Sequence, residues 1–125
     1  MTRKDLDLFT RRWADAVASG RDDAFDELLT AGVVDHSGAS PVVGRGGFRA
    51  RTAAVHAAFT DVEVAVDGLL VDGDQLACRW TMRATHRKSG RRVQMAGINV
   101  QRIEGGRVAE HWTQADQLGL AKQLE

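Results

Sequence analysis

The residues whose types could do chemistry concentrate near the C-terminus, between positions 103 and 116. Paired glycines at 105 and 106 predict a hairpin turn there, because glycine accepts the positive φ values that a two-residue reverse turn requires. Side chains alternate between the two faces of a strand, which puts His111 on the face opposite Trp112. The second face then carries Val108, Glu110, Trp112 and Gln114. Because these polar and aromatic residues lead to Asp116, we expect this face to be the wall of a pocket.

Asp116 is the first catalytic candidate. A carboxylate shielded from water is poorly stabilised as an anion, so it can act as a general base and then as a general acid near neutral pH. A structural role competes with this one. Asp116 comes directly before Gln117, where a short amphipathic helix is expected to run to Leu124, and Asp is a common N-cap residue.

Three histidines could donate to a developing oxyanion or orient a carboxylate. We select His36 and His86, each expected near the end of a strand. His111 is set aside because alternation turns it away from Trp112, and His56 is expected on the polar side of a helix. No His-Glu-x-x-His, Cys-pair or His-x-His spacing is present, so the sequence predicts no metal site and no metal cofactor.

A pocket for a flat ligand would be lined by bulky apolar side chains and a few hydrogen-bonding groups. The residues we expect to contact a ligand are Trp112, Trp80, Gln114, Asn99, Phe59 and Met82. For most of these side chains an ordinary core position is the competing interpretation, and Glu110 is better explained by an ion pair with Arg102 or Arg79.

The elements that would position these groups follow from periodicity. Thr2 with Asp5 predicts a capped first helix that Gly20 ends, and Asp22 could cap a second, short helix that Gly32 closes. A brief extended segment then leads to residues 35–37, and a loop containing Pro41 precedes a third helix. The apolar positions of that helix are Phe48, Thr52, Val55 and Phe59.

From residue 61 onward the period changes to two. Turn signals at 72–74, 88–90 and 105–106 divide the region into four strands, and Gly97 suggests a bulge or bend in the third. In the second, Trp80, Met82 and His86 share a face with Cys78. Helices followed by a run of strands predict an α+β fold with three N-terminal helices on one face of a curved, mostly antiparallel sheet and a short C-terminal helix.

The motifs in this order are those of a known family. They are Gly-Gly-Arg-Val-Ala-Glu-His-Trp at 105–112, Asp-Gln-Leu-Gly-Leu-Ala-Lys-Gln-Leu at 116–124, Val-Asp-His-Ser at 34–37, Gly-Arg-Gly-Gly-Phe at 44–48, Phe-Thr-Asp at 59–61, the run 72–80 and Ala-Thr-His at 84–86. The chain resembles the SnoaL-like polyketide cyclases of the NTF2-like superfamily over nearly all of its length. The resemblance implies a cone-shaped NTF2-like (cystatin-like) fold whose ligand cavity lies between the helices and the sheet.

The same resemblance implies a cofactor-independent enzyme. Asp116 matches the residue taken to remove a proton from a carbon flanked by carbonyls, giving an enolate that closes a ring by aldol addition, and His36 and His86 match family positions. Alternatives remain open: a non-catalytic ligand-binding or assembly module, or an isomerase, dehydratase, epoxide hydrolase or polyketide-hydroxylation partner using the same pocket.

Length and charge limit the partners. The 125 residues predict a single domain, 1–125. Seventeen basic and seventeen acidic residues balance, so no overall field favours nucleic acid or a membrane surface, and a hydrophobic, carbonyl-containing small molecule is the expected partner. The single Cys78 and the absence of an apolar leader predict a cytoplasmic protein. Apolar residues at 96, 98 and 100, opposite in phase to Asn99, predict a homodimer or larger homo-oligomer.

Overall fold

The first helix, α1 (Arg3–Ser19), begins and ends as its sequence predicts. The Thr2 hydroxyl accepts a hydrogen bond from the Asp5 backbone N–H (3.1 Å), and the Asp5 carboxylate accepts one from the Thr2 N–H (2.8 Å), which is a complete capping box. Gly20 ends the helix with a φ of 72°. In this computed structural model the backbone of residues 1–125 is described together with every side chain except that of Asp22, so the predicted Asp22 cap lies outside the described residues.

The second helical segment is shorter than predicted. A 3-10 turn (Asp22–Ala24) leads into α2 (Phe25–Leu28), and strand β1 (Leu29–Asp35) starts at once. The prediction that the helix runs on to Gly32 is wrong. Leu29 instead pairs with Val108 on a neighbouring strand, and both residues are fully buried. Long-range strand pairing therefore overrides local helical spacing at this point.

The remaining elements form one sheet and two helices. Strand β2 (Val42–Val43) and helix α3 (Gly46–Ala58) precede four long strands, β3 (Phe59–Asp72), β4 (Gln75–His86), β5 (Arg92–Glu104) and β6 (Arg107–Ala115), and the final helix is α4 (Gln117–Gln123). The strand order is β2-β1-β6-β5-β4-β3, with β1 parallel to β6 and every other neighbouring pair antiparallel. This confirms the predicted mostly antiparallel α+β architecture.

A bulge in β6 decides which of its faces points inward. On β5, Arg102 pairs with Glu110 and Ile103 pairs with Val108, so Ala109 has no partner in the register between these two strands. One unpaired residue reverses the alternation that follows it. Consequently Val108 and His111, three residues apart, both face the helices, whereas Glu110 and Trp112 face away. The prediction that Val108, Glu110, Trp112 and Gln114 share one face is wrong for this reason.

Gly97 has a different role from the one its sequence suggests. It pairs regularly with Trp80 on β4 and with Ala115 on β6, so it does not form a bulge. A Cβ atom at this position would lie 2.3 Å from Cζ2 of Trp80 and 2.8 Å from the Gln114 carbonyl oxygen. Glycine is required here because the indole ring of Trp80 occupies the space that a side chain would need.

The core has two parts, which pack against the sheet at different positions along its strands. One joins α1, α2 and α3 to the sheet, with Phe9, Phe25 and Phe48 among its buried members. The other contains Phe59, Met82, Ala84 and Val93 and is covered by Leu120 and Leu124, from α4 and the residue after it. Along β4 the first part includes Cys78 and the second includes Met82, with Trp80 between them. The space between the two parts is the candidate site.

Candidate functional site

A cavity of about 220 Å³ lies between the helices and the inner face of the sheet. Its walls are mainly apolar. The larger apolar side chains in the lining are Trp13 and Val17 from α1, Phe25, Phe48 and Val55 from α2 and α3, and Val64, Val66, Trp80, Met82 and Met95 from the sheet. Typical small-molecule sites enclose roughly 300–1,000 Å³, so this cavity suits a compact ligand.

Asn99 presents hydrogen-bond donors to the cavity. Its side-chain oxygen accepts from the indole Nε1 of Trp80 (2.9 Å) and from the Thr113 hydroxyl (2.6 Å). Indole N–H is only a donor, so the amide oxygen must face Trp80. The Asn99 nitrogen therefore points the other way, and it has no hydrogen-bond partner among the described residues.

His111 is a titratable group in the cavity wall. It is 2% exposed, its ring stacks on Trp13 (centroids 5.3 Å apart, planes at 24°), and Phe48 meets it edge-on. Burial lowers the pKa of His111 to about 4, while Asp35 acts to raise it and Arg51 to lower it. At neutral pH the imidazole is consequently uncharged.

Gln101 selects the tautomer of that neutral ring. The amide nitrogen of Gln101 lies 3.1 Å from Nδ1 of His111, and because this nitrogen can only donate, Nδ1 must be the acceptor. The proton is then on Nε2, which has no partner among the described side chains. Every described side-chain nitrogen or oxygen that is shut off from solvent does have a partner, so Nε2 must face open space. His111 is therefore a neutral donor directed at the cavity.

A buried acid lies beside this ring. Asp35 pairs with His111 across β1 and β6, is 5% exposed, and accepts hydrogen bonds from the backbone N–H (3.0 Å) and hydroxyl (2.6 Å) of Ser37 and from Nη2 of Arg51. Burial acts to raise the pKa of Asp35, but the Ser37 bonds and the Arg51 charge outweigh it and hold that pKa below its usual value. The Ser37 hydroxyl also accepts from the Thr113 N–H (3.0 Å), which ties this network to the cavity wall.

Three of the predicted ligand-contacting residues line the cavity: Trp80, Met82 and Asn99. Phe59 lies beside it in the second core cluster but does not line it. Asp116 is exposed and caps α4, its Oδ1 accepting from the Gly119 N–H (2.9 Å). The expectation that this carboxylate is shielded inside an apolar cavity is therefore wrong. Its neighbours Ala115 and Gln117 both line the cavity, so Asp116 belongs to the rim.

The remaining predicted residues lie away from the cavity. His36 stacks on Trp112 (centroids 4.8 Å apart) and its Nε2 is 3.1 Å from Glu110 on the outer face of the sheet, where Gln114 is exposed. His86 contacts the Ser89 hydroxyl (2.8 Å) at the β4–β5 turn. Placing Trp112 and Gln114 in the pocket wall is thus wrong as geometry, because the β6 bulge turns that face outward. Neither His36 nor His86 lines the cavity, as a donor to a developing oxyanion there would have to.

Glu110 forms the ion pair predicted for it. Nε of Arg102 lies 2.6 Å from its Oε2, and hydrogen bonds from Arg102 and then His36 lower the pKa of Glu110. His111, which the alternation excluded, is the functional candidate that sequence reasoning missed. The only local signal was the adjacent apolar pair Val108-Ala109, which allows a bulge without requiring one.

Other parts of the described structure show weaker signs of a functional site. A second hollow, of about 410 Å³, is more open, and it lies among the Gly73 and Gly105-Gly106 turns beside Met1 and Leu6 without comparable fixed donors. No three His, Cys, Asp or Glu side chains within the described set are placed to hold a metal ion. In the described residues there is also no helix with the length and apolar character needed to cross a bilayer.

Helices on one face of a curved six-stranded sheet, enclosing an apolar cavity, define the NTF2-like class of α+β proteins. The chain belongs to the SnoaL-like polyketide cyclase family, whose model matches residues 7–124. The resemblance seen in the motifs is therefore confirmed. No curated protein matches the chain by sequence.

Solved structures agree with this assignment. TsrD from Streptomyces laurentii is 27% identical with a TM-score of 0.90, and the match covers 99% of this chain and 97% of TsrD. IdmH from Streptomyces antibioticus, a proposed polyketide cyclase, is 27% identical with a TM-score of 0.84, covering 94% and 96%. AclR from Streptomyces galilaeus, a proposed hydroxylase, is 20% identical with a TM-score of 0.88, covering 98% and 86%, and this likeness shows the fold alone.

Proposed function

We propose that this protein binds a compact, mostly apolar carbonyl compound in the cavity and promotes its enolisation, as a cofactor-free cyclase would. One observation carries the proposal: two neutral donors, on Asn99 and His111, are held in fixed orientations on a mainly apolar wall. The pairs Asn99–Thr113 and Gln101–His111 are successive on the same face of β5 and β6, so both donors belong to one patch. A carbonyl oxygen is the acceptor that such a patch suits.

The chemistry follows from what fixed donors do in a water-poor site. When a methylene between two carbonyls loses a proton, negative charge moves onto a carbonyl oxygen, and donors already aimed at that oxygen stabilise it without reorganising. The resulting carbanion carbon bonds to a second carbonyl carbon of the same molecule. The alkoxide formed there takes a proton back, so the ring closes without net proton change.

Asp116 remains our candidate for the group that first accepts the proton. It lies between two cavity-lining residues, and only Oδ1 is engaged by the helix N-terminus. In this proposal Asp116 acts from the rim and the cavity donors stabilise the enolate. The sequence-based roles of His36 and His86 are not retained, since neither residue lines the cavity.

Hydrogen–deuterium exchange tests the proposal directly. The probe is 2-tetralone, a bicyclic ketone with an activated methylene, observed by proton NMR in deuterated buffer with and without the protein. We expect the protein to accelerate exchange and His111→Phe to reduce that acceleration roughly 100-fold, as for the loss of one oxyanion donor. Retained folding of the variant is checked by circular dichroism. Binding of 2-tetralone without any acceleration would contradict the enolisation chemistry.

A second candidate is a non-catalytic ligand-binding module, and one observation favours it. No Asp or Glu is among the described residues that line the cavity, so a base must act from the rim or from solvent. In the exchange experiment this candidate predicts that 2-tetralone binds and exchanges at the rate in buffer. Isomerase, dehydratase, epoxide-opening or hydroxylation-partner chemistry would use the same donors and is distinguished only by the substrate.

We also propose that the outer face of the sheet joins two copies of the chain. Ile98 is 47% exposed, and Val100 and Trp112, directly paired across β5 and β6, continue the apolar surface. Exposed apolar area of this kind is commonly covered by a partner. A cytoplasmic location remains a prediction that rests on the lone, buried Cys78.

A further inference from the structure

One cationic side chain occupies the edge of the cavity. Arg51, on α3, contributes to the lining, yet its side chain remains 44% exposed, so it spans the boundary between the cavity and solvent. Among the described lining residues it is the only one that carries a charge at neutral pH, since His111 is neutral there. Apart from Arg51, the described residues that line the cavity are therefore uncharged.

Arg51 is held in position rather than free to swing away. One of its terminal nitrogens, Nη2, binds the buried Asp35 carboxylate, and its guanidinium carbon lies 5.5 Å from the ring centroid of Phe48. Asp35 is in turn fixed by both donors of Ser37. A guanidinium clamped on one side in this way has lost much of the side-chain freedom that binding a ligand would otherwise cost.

The same geometry leaves donors available. The structure gives Arg51 a single hydrogen bond, through Nη2, so Nε and Nη1 have no partner among the described residues. Nη2 carries two N–H groups, so the one that Asp35 does not bind can pair with Nε–H or with Nη1–H along one edge of the planar guanidinium, which is the arrangement that matches a carboxylate with two parallel bonds. A dianionic phosphate would ordinarily recruit more than one cation, and no second cationic side chain lines this cavity within the described part of the chain.

We infer that the ligand is a carboxylate-bearing aromatic or cyclic keto compound, with its carboxylate on Arg51 at the rim and its apolar body inside. This inference rests on the proposed function and names its substrate class. The apolar body contacts the walls, and a ring carbonyl accepts from Asn99 or His111. A cationic ligand is disfavoured because it would meet the Arg51 guanidinium and find no counter-charge among the described lining residues.

Binding of two matched probes tests the inference. 2-Naphthoate and 2-naphthamide have the same bicyclic body and differ in whether the substituent is an anion, and their affinities for the full chain are measured by isothermal titration calorimetry. We expect 2-naphthoate to bind at least about tenfold more tightly, as for one hydrogen-bonded charge contact. The preference should weaken as ionic strength rises, because Arg51 is partly exposed.

Two variants assign the preference to Arg51. Arg51→Gln alone leaves Asp35 as a buried charge without its cation, which would destabilise the folded protein. A double variant, Arg51→Gln with Asp35→Asn, removes both charges of the pair and avoids this penalty. We expect the preference for 2-naphthoate to disappear in the double variant. Arg49→Gln is the matched control, because Arg49 lies on the same helix, binds Asp26 and does not line the cavity.

The outcomes separate this inference from the function it rests on. Equal binding of the two probes, or a preference that persists in the folded double variant, would overturn the role of Arg51 while leaving the tetralone result to decide the proposed function. If neither probe binds, the inference fails, and acceleration of 2-tetralone exchange then shows whether the carbonyl-binding function survives without it.

Discussion

The side-chain nitrogen of Gln101 lies 3.1 Å from Nδ1 of His111, and both residues are almost completely buried in the wall of the cavity. This contact determines which nitrogen of the imidazole can donate to a ligand. A residue in this position acts through His111 rather than on the ligand itself, so we regard Gln101 as a positioning residue.

The tautomer of His111 is the first prediction. In the parent protein, nitrogen-15 NMR of the imidazole should show the proton on Nε2. Replacing the donor amide by a carboxylate in Gln101→Glu should move a proton to Nδ1 and raise the pKa of His111, because an adjacent anion stabilises the imidazolium. A parent ring protonated on Nδ1 would contradict the assignment of His111 as the donor.

Stability should fall in mild acid because of His111. Its pKa drops from an ordinary 6.5 to about 4 on folding, so between these values the unfolded chain binds a proton that the folded chain does not. The free energy of unfolding then decreases by about 1.4 kcal/mol per pH unit as pH falls from about 6.5 towards 4, roughly 3 kcal/mol in total. Above pH 6.5 this group has little effect.

Urea unfolding at a series of pH values measures that dependence. His111→Gln should flatten the profile between pH 6.5 and 4, because glutamine does not titrate. Asp35, whose pKa is also held low, adds to the loss of stability at still lower pH. An unchanged profile in His111→Gln would show that the ring is not buried as a neutral group.

Gly97→Ala should destabilise the protein and disturb the cavity. The added Cβ would overlap the Trp80 ring, displace it and break its hydrogen bond to Asn99, at a cost of about 1–3 kcal/mol. Thermal unfolding and tryptophan fluorescence report both effects. Gly32→Ala is the control, because nothing lies within 4 Å of its Cβ position, and it should be neutral or slightly stabilising.

Substitutions of Asp116 separate its two possible roles. Asn still caps a helix, so Asp116→Asn should unfold like the parent, whereas Asp116→Ala should lose about 1 kcal/mol. If Asp116 accepts the substrate proton, both variants should slow 2-tetralone exchange by at least about tenfold, since each removes the carboxylate. Exchange at the parent rate in Asp116→Asn would leave the residue with only its capping role.

Self-association through the outer face is tested by adding a charge to it. Ile98→Lys should shift the protein towards monomer in size-exclusion chromatography with light scattering, because a buried ammonium would have no partner. Leu118→Lys, on the exposed side of α4, should leave the association state unaltered. A parent protein that stays monomeric at high concentration would refute the interface.

Much of the architecture was predictable because it depends on local signals. Two positive-φ glycines at the β5–β6 turn, the Thr2–Asp5 capping box and the two-residue period of β4 all act within a few residues of one another. The alternation of β4 also placed Trp80 and Met82 on the inner face correctly, since β4 pairs with β5 in an unbroken register.

The composition of the site was decided by contacts between distant segments. A bulge at Ala109 depends on how β6 fits against β5 and β1 together, and it alone moves His111 inward and Trp112 outward. Equally, Asp35 and Arg51 meet each other beside His111 only after β1, α3 and β6 have packed. Sequence periodicity carries no information on a one-residue bulge or on contacts between segments that are distant in the chain. Both are set by the free energy of the assembled sheet and core.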